Sequence, residues 1–137
     1  MRYLGLDLGA KKLGVAISDK LGTIASFYDS LKVESVEDML LKILEIIEKE
    51  KIDKVVIGYP KNMDNSEGFR AEETKDFKNL LEESFSGEII LEDERLTTKI
   101  SEDILIQGNM SRKKRKKVID GVSAVVILQS YLDRKEK

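Results

Sequence analysis

The order of the short apolar runs constrains the fold of this chain more than any other feature of its sequence. Three runs follow one another closely at 3–8, 13–18 and 23–28, with turn-forming residues between them, which favours an antiparallel meander of strands. Two further runs, at 54–58 and 88–91, are separated by a segment of helical periodicity. A helical crossover between two strands predicts that they pair in parallel.

Four segments are expected to be helical. The first begins at an N-cap, Ser35, and ends near Lys51, because apolar residues recur there at three- and four-residue spacing. The others cover about 69–84, the segment from Thr97 or Thr98 to about Gly108, and 118–132. The last segment is rich in β-branched residues, which favours a strand, but its length without a turn signal favours a helix.

The predicted order of elements is therefore β-β-β-α-β-α-β-α-α. We expect an α/β fold with a mixed five-stranded sheet flanked by helices, in a single domain over residues 1–137. The chain has no cysteine, and its N-terminal apolar run is too short for a signal peptide. No apolar stretch approaches the roughly 20 residues that span a membrane. These features favour a cytoplasmic protein without membrane contact.

Carboxylates are the best candidates for any chemistry, because the chain contains neither histidine nor cysteine. A histidine general base and a metal site of imidazole or thiolate ligands are thereby excluded. Asp7 ends an apolar strand, where a charge is costly unless it is paired, hydrogen-bonded or bound to a metal. Asp93 and Glu94 directly follow the fifth predicted strand, and Asp120 lies near the start of the last helix.

These acids are expected to meet at one edge of the sheet. The first, fourth and fifth strands would run parallel, so strands one and five end where ligands bind in open α/β sheets. Neighbouring carboxylates repel one another, and a hard divalent cation such as Mg²⁺ relieves that repulsion. Transfer of a phosphoryl group to water is the chemistry that such a site supports. The alternative is that each acid only ends a turn or caps a helix.

Small and basic residues surround Asp7 in the sequence. Three glycines lie near it, namely Gly5, Gly9 and Gly14. They either form a tight turn or leave room for a phosphate backbone to approach. Lys11 and Lys12, in the turn after the first strand, are candidates for phosphate contact or are solvated loop residues.

Two further segments carry candidate substrate contacts. The loop at 58–68 follows the fourth strand and is rich in hydrogen-bonding side chains, of which Asn62 and Ser66 are the best candidates. Arg95 follows the second acidic position. Its guanidinium could hold the carboxylates in place or bind phosphate, or it could form a surface ion pair with Glu92 or Asp93.

A run of six bases is the clearest charge signal in the chain. It leads directly into the helix that carries Asp120 and consists of Arg112, Lys113, Lys114, Arg115, Lys116 and Lys117. Cations beside a metal site attract a polyanion and make its binding depend on salt. We therefore expect nucleic-acid contact at this run, with a localisation signal as the alternative.

Four segments, taken in order along nearly the whole chain, resemble the YqgF family, also called RuvX. They are LDLG at 6–9 with KKLGVA at 11–16, GYPKNMDNSEG at 58–68, DERLTT at 93–98, and Asp120 followed by SAVVILQSYL at 123–132. The resemblance implies an RNase H-like fold, a cytoplasmic location and a nuclease that acts in maturation of the 5′ end of pre-16S ribosomal RNA. It also implies activity on branched DNA junctions.

The resemblance also implies a set of site residues. Asp7, Glu94 and Asp120 would be the catalytic acids and would hold Mg²⁺ or Mn²⁺, with Asp93 as an alternative to Glu94 or an aid to it. Ser123 and Ala124 stand where related junction resolvases carry a further acid, which implies a metal site with fewer ligands.

Three other functions remain open from the sequence. The chain could resolve Holliday junctions in branched DNA, or it could be a non-catalytic RNA-binding factor in ribosome assembly. An actin-like phosphotransferase also begins with Asp-x-Gly on a hairpin. That fold needs two such domains around ATP, and 137 residues supply one.

Overall fold

The computed structural model describes residues 1–9, 11–59, 71–93 and 112–135, except for the side chains at 71, 93 and 112–122. The strands are β1 (Tyr3–Leu8), β2 (Lys12–Ser18), β3 (Ala25–Lys32), β4 (Lys54–Tyr59) and β5 (Glu88–Asp93). The helices are α1 (Val36–Glu50), α2 (Ala71–Glu82) and α3 (Arg112–Lys135). The predicted helix ending near Gly108 and most of the 58–68 loop lie outside the described residues.

The five strands form one mixed sheet in the order β3-β2-β1-β4-β5. β2 pairs antiparallel with both β1 and β3, while β4 pairs parallel with both β1 and β5. This arrangement confirms the predicted fold class. The carboxyl ends of β1, β4 and β5 consequently lie along the same edge of the sheet.

Several element boundaries differ from the prediction, among them the ends of β3 and β5 and the start of α3. β3 continues past Tyr28 to Lys32; as an edge strand it alternates weakly between buried and exposed positions, so its apolar pattern ends before its pairing does. β5 continues to Asp93, which pairs with Tyr59, so Asp93 ends the strand instead of following it. α3 begins at Arg112 instead of Val118, because arginine and lysine are good helix formers.

The first helix follows its prediction closely. The side chain of Ser35 accepts a hydrogen bond from the backbone N–H of Asp38 at 3.0 Å and caps the helix. Met39 and Ile43 are buried as the periodicity predicts. Val36, which belongs to the same predicted stripe, is 41% exposed, and Ile46 is buried in addition.

The sheet separates two hydrophobic cores. On one face, Leu4 and Leu6 pack with residues of α1 and α2 such as Ile43 and Phe77. On the other face, Tyr3 packs with α3. Because successive strand residues alternate between faces, Gly5 and Asp7 share the α3 face with Tyr3.

Gly5 allows α3 to approach the sheet closely. A Cβ atom added at Gly5 would lie 2.7 Å from Cβ of Leu128 and 3.1 Å from the backbone oxygen of Ala124. Neither neighbour can move independently, since one is the first side-chain atom of a buried residue and the other is helix backbone. The position of α3 over β1 therefore depends on the absence of a side chain at residue 5.

Replacing Gly5 by alanine is expected to destabilise the protein by about 1–3 kcal/mol through overpacking between β1 and α3. Urea unfolding measures the effect. Ser26→Ala, at an exposed position of β3, serves as the control and is expected to lie within about 0.5 kcal/mol of the wild type. Wild-type stability for Gly5→Ala would show that α3 is not held against the backbone of β1.

Candidate functional site

Asp7 lies on the α3 face near the carboxyl end of β1, and it is half-buried. On β2 its direct partner is Gly14. On the other side, β1 pairs with β4 as far as Leu6 with Ile57, and extending this register by one residue sets Gly58 opposite Asp7. Asp7 is thus the residue between two glycines in a row across three strands.

The glycines that surround Asp7 in the sequence have different roles in the structure. Gly5 admits α3, and the backbone N–H of Gly9 donates to the backbone oxygen of Lys12 at 2.9 Å in the β1–β2 turn. Gly14 lies directly beside Asp7 on the neighbouring strand. The reading as a tight turn therefore holds for Gly9, and the approach of a phosphate backbone beside Gly14 stays a prediction.

The direction of α3 brings Asp120 to the level of Asp7. The ring centroids of Tyr3 and Tyr131 are 5.9 Å apart, and Gly5 contacts the helix at Ala124 and Leu128, so α3 runs opposite to β1. Two residues along a strand advance about 6.6 Å, and four residues along a helix advance about 6 Å. The step from Gly5 to Asp7 therefore corresponds to the step from Ala124 back to Asp120.

The end of β5 distinguishes Asp93 from its neighbours. Glu92 pairs with Gly58, and Asp93 pairs with Tyr59. Glu92 lies on the α3 face, since its carboxylate contacts α3, and alternation assigns position 93 to the face of α1 and α2. Position 93 therefore does not belong to the face of the sheet that carries Asp7. Glu94 lies outside the described residues.

Glu92 is a residue of this region that the sequence patterns missed except as a possible partner of Arg95. Its side chain is 2% exposed, and the hydroxyl of Ser130 donates to its Oε2 at 3.0 Å. Its Oε1 faces the guanidinium of Arg134 in an ion pair that does not complete a hydrogen bond. The sequence pattern that could have indicated a buried acid is its position in an apolar strand two residues after Ile90, on the same face of the sheet.

Glu92 connects the two elements that lead to candidate ligands. β5 carries it two positions before Glu94, and its partners Ser130 and Arg134 lie on the helix that contains Asp120. Asp7, Gly58 and Glu92 lie in one row across β1, β4 and β5. The backbones of β1 and β5, which carry the two acids, are about 10 Å apart.

The predicted nucleic-acid contacts are placed only in part. Lys11 is exposed and Lys12 half-buried, both at the β1–β2 turn beside the candidate site. The basic run forms the first turns of α3 as backbone. Three contacts lie outside the described residues, namely Asn62, Ser66 and Arg95.

The predicted metal ligands are likewise placed in part. Among the described side chains, no three acids are close enough together to hold a metal ion. Of the proposed ligands, Asp7 alone has a described side chain. Its carboxylate oxygens, the adjacent glycine row and the backbone of Asp120 opposite it are compatible with a site for a hard cation.

None of the helices within the described ranges combines the length and hydropathy that crossing a bilayer requires.

Comparison with known proteins identifies similar sequences over the whole chain. A family model described as "RuvX: Holliday junction resolvase" matches residues 1–134. A protein of Geobacillus sp. (strain WCH70) named "Putative pre-16S rRNA nuclease" is 51% identical over 138 residues, covering 99% of this chain and 100% of the relative. A protein of the same name from Bacillus subtilis (strain 168) is 47% identical over 135 residues, covering 97% and 98%.

Two solved structures with similar folds come from junction resolvases. RuvC of T. thermophilus in complex with a Holliday junction substrate aligns with a TM-score of 0.67 at 12% identity, covering 99% of this chain and 96% of that one. The Fowlpox virus resolvase in complex with Holliday junction DNA aligns with a TM-score of 0.65 at 17% identity, covering 100% of both. These similarities confirm the RNase H-like fold.

Replacing Arg134 by methionine is expected to destabilise the protein by about 1–2 kcal/mol, because the buried carboxylate of Glu92 loses its cation. The effect is not larger because the guanidinium of Arg134 is exposed, and solvent weakens its attraction to Glu92. Chemical denaturation at neutral pH measures it, with Lys20→Met as the control for removal of an exposed charge. Adding Glu92→Gln to the Arg134→Met variant should recover part of the loss. No recovery would contradict a charge-specific role for the pair.

Proposed function

Because this chain belongs to the RuvX family, we propose that it is a metal-dependent endonuclease that hydrolyses phosphodiester bonds of nucleic acid. The substrate that its relatives' names support best is pre-16S ribosomal RNA, which it would process at the 5′ end in ribosome biogenesis. Residues 1–137 would form one nuclease domain, and the site of action would be the cytoplasm.

The position of Asp7 is the observation that carries this proposal. Its carboxylate lies near the end of a buried parallel strand, between Gly14 and Gly58, on the face that α3 covers. A carboxylate with glycines on both sides can be reached by a bulky phosphate backbone, whereas larger neighbours would exclude it. Asp120 stands at the same level on the helix opposite, which supports a shared site.

We propose that Asp7, Glu94 and Asp120 hold Mg²⁺ or Mn²⁺. When bound, the ion supplies charge stabilisation at the scissile phosphate and activation of water. The carboxylates supply hard oxygen donors, and no histidine exists in the chain to act as a general base in their place. Ser123 and Ala124 are buried one turn after Asp120, so this part of the helix adds no further acid.

Strand alternation supports Glu94 over Asp93 as the second ligand. Positions 90 and 92 belong to the α3 face, and position 94 would follow them if the alternation continued. Position 93 belongs to the opposite face by the same rule. The proposed nucleic-acid contacts are Lys11 and Lys12, together with Asn62, Ser66, Arg95 and the basic run of Arg112, Lys113, Lys114, Arg115, Lys116 and Lys117.

Replacing Asp7 by asparagine is expected to lower the cleavage rate about a thousandfold or more while leaving the fold intact, which corresponds to roughly 4 kcal/mol of transition-state stabilisation. Asp76→Asn, an exposed acid on α2, is the matched control and should cleave at the wild-type rate. A folded Asp7→Asn protein that cleaves like the wild type would refute the assignment of Asp7.

The substrate and the cofactor are tested together. A pre-16S ribosomal RNA fragment and a four-way DNA junction are each incubated with Mg²⁺, Mn²⁺ or a chelator. Cleavage of the RNA with a divalent ion and not with the chelator is expected. Cleavage of the junction alone would favour junction resolution, the second candidate, which the family description supports. RNA binding without cleavage of either substrate would identify a non-catalytic binding factor.

Replacing Glu94 by glutamine is expected to lower cleavage at least about a hundredfold, whereas Asp93→Asn should retain activity within a few fold, because continued strand alternation would put position 94, and not position 93, on the face of Asp7. Cleavage rates across a Mg²⁺ titration measure the difference. The reverse result, in which only Asp93→Asn is inactive, would assign the second ligand to Asp93.

A further inference from the structure

We propose that Gln129 and Ser130 are positioning residues that fix the rotation of α3 about its own axis, and thereby the position of Asp120 relative to Asp7. The inference rests on the proposed metal site and deepens it, because it names contacts on which the geometry of that site depends. It is carried by hydrogen bonds that hold the two sides of α3 to β3 and β5, the outermost strands of the sheet.

Gln129 holds one side of α3 to the start of β3. Its Oε1 accepts a hydrogen bond from the backbone N–H of Ala25 at 2.8 Å, and its Nε2 donates to the backbone oxygen of Thr23 at 3.0 Å. The same amide nitrogen donates to Oδ1 of Asp133 at 2.9 Å, one turn further along the helix. Three partners therefore fix the orientation of this side chain between the helix and the β2–β3 hairpin.

Ser130 holds another side of α3 to β5. Its hydroxyl donates to Oε2 of Glu92 at 3.0 Å, and Arg134, one turn later, forms an ion pair with the same buried carboxylate. Successive residues of a helix point about 100° apart, so Gln129 and Ser130 leave the helix in clearly different directions. A rotation of α3 in either sense would therefore stretch or bend the hydrogen bonds of both residues.

Asp120 belongs to the face of α3 that is turned toward the sheet. Positions seven residues apart on a helix differ in direction by about 20°, so position 120 shares the face of Ile127, which is fully buried. Because α3 is continuous from Arg112 to Lys135, a rotation at positions 129 and 130 also turns position 120. A rotation of about 20° shifts a side chain that lies about 5–6 Å from the helix axis by about 2 Å. Mg²⁺ demands nearly ideal octahedral geometry, so such a shift would weaken its binding.

The apolar contacts of α3 restrict its distance from the sheet more than its rotation. The contact between Gly5 and Leu128 limits how closely the helix approaches β1. Apolar attraction has no preferred direction, whereas a hydrogen bond weakens steeply as its angle falls. The hydrogen bonds of Gln129 and Ser130 therefore oppose small rotations that the apolar face alone would allow.

Binding of Mn²⁺ in the absence of nucleic acid tests the proposal. Electron paramagnetic resonance measures free Mn²⁺ during a titration, and Asp7→Asn identifies the binding that belongs to the proposed site. Gln129→Met keeps the length of the side chain and removes its hydrogen bonds. It should weaken Mn²⁺ affinity about tenfold, at the lower end of the losses seen for residues that orient metal ligands. Ser130→Ala should weaken it too, and Ser130→Thr, which keeps the hydroxyl, should restore it.

Two control variants separate positioning from charge and from lost stability. Asp133→Asn removes a negative charge but keeps an oxygen that can accept from Gln129, so its Mn²⁺ affinity should equal that of the wild type. Ile43→Val removes a methylene group from the core on the other face of the sheet, and urea unfolding compares its destabilisation with that of Gln129→Met. It should leave Mn²⁺ affinity unchanged. An equal loss of affinity in either control would overturn the proposal.

Cleavage of a pre-16S ribosomal RNA fragment gives a second readout. In Gln129→Met the half-saturating Mg²⁺ concentration should rise about tenfold, while the rate at saturating Mg²⁺ stays within a few fold of the wild type. A lower rate with unchanged Mg²⁺ dependence would contradict the positioning role. Asp7-dependent Mn²⁺ binding that Gln129→Met leaves unchanged would overturn this inference alone. A wild-type protein without such binding and without cleavage would overturn the proposed function as well.

Discussion

The close packing of α3 against the backbone of β1 at Gly5 is the contact on which the arrangement of the site depends. Leu128 and Ala124 occupy the volume that a side chain at residue 5 would fill. This contact sets how closely α3 approaches the sheet. The direction in which α3 runs then determines which of its residues faces Asp7. A shift of the helix by one turn, about 5.4 Å, would bring a different residue to the level of that carboxylate.

An ion pair between the buried Glu92 and the exposed Arg134 provides a second constraint on the same helix. Glu92 is almost completely buried and is held by Ser130 and Arg134 of α3. Removing the cation would leave the buried carboxylate of Glu92 uncompensated, which is costly, although solvent at the exposed Arg134 reduces that cost. Together with the contact at Gly5, the pair fastens α3 to both β1 and β5. The two strands that end at the candidate site are therefore joined through one helix.

Much of the fold was predictable from local patterns. The apolar runs placed all five strands, and the cap at Ser35 placed the start of α1. The errors occurred where pairing or burial depends on distant residues. β3 continues to Lys32 because β2 pairs with it, although its own sequence there is polar. Val36, the first residue of α1, is exposed, whereas Ile46 further along the helix is buried.

The sequence by itself determined the chemistry available to this protein. A chain without histidine or cysteine has carboxylates and cations to act with, and the order of its apolar runs predicts which strand ends share an edge. The tertiary structure decided which residues share a face. Strand pairing sets Asp7 between two glycines and aligns Lys32 with Lys12. These relations depend on register, which arises from packing and hydrogen bonds between segments far apart in the chain.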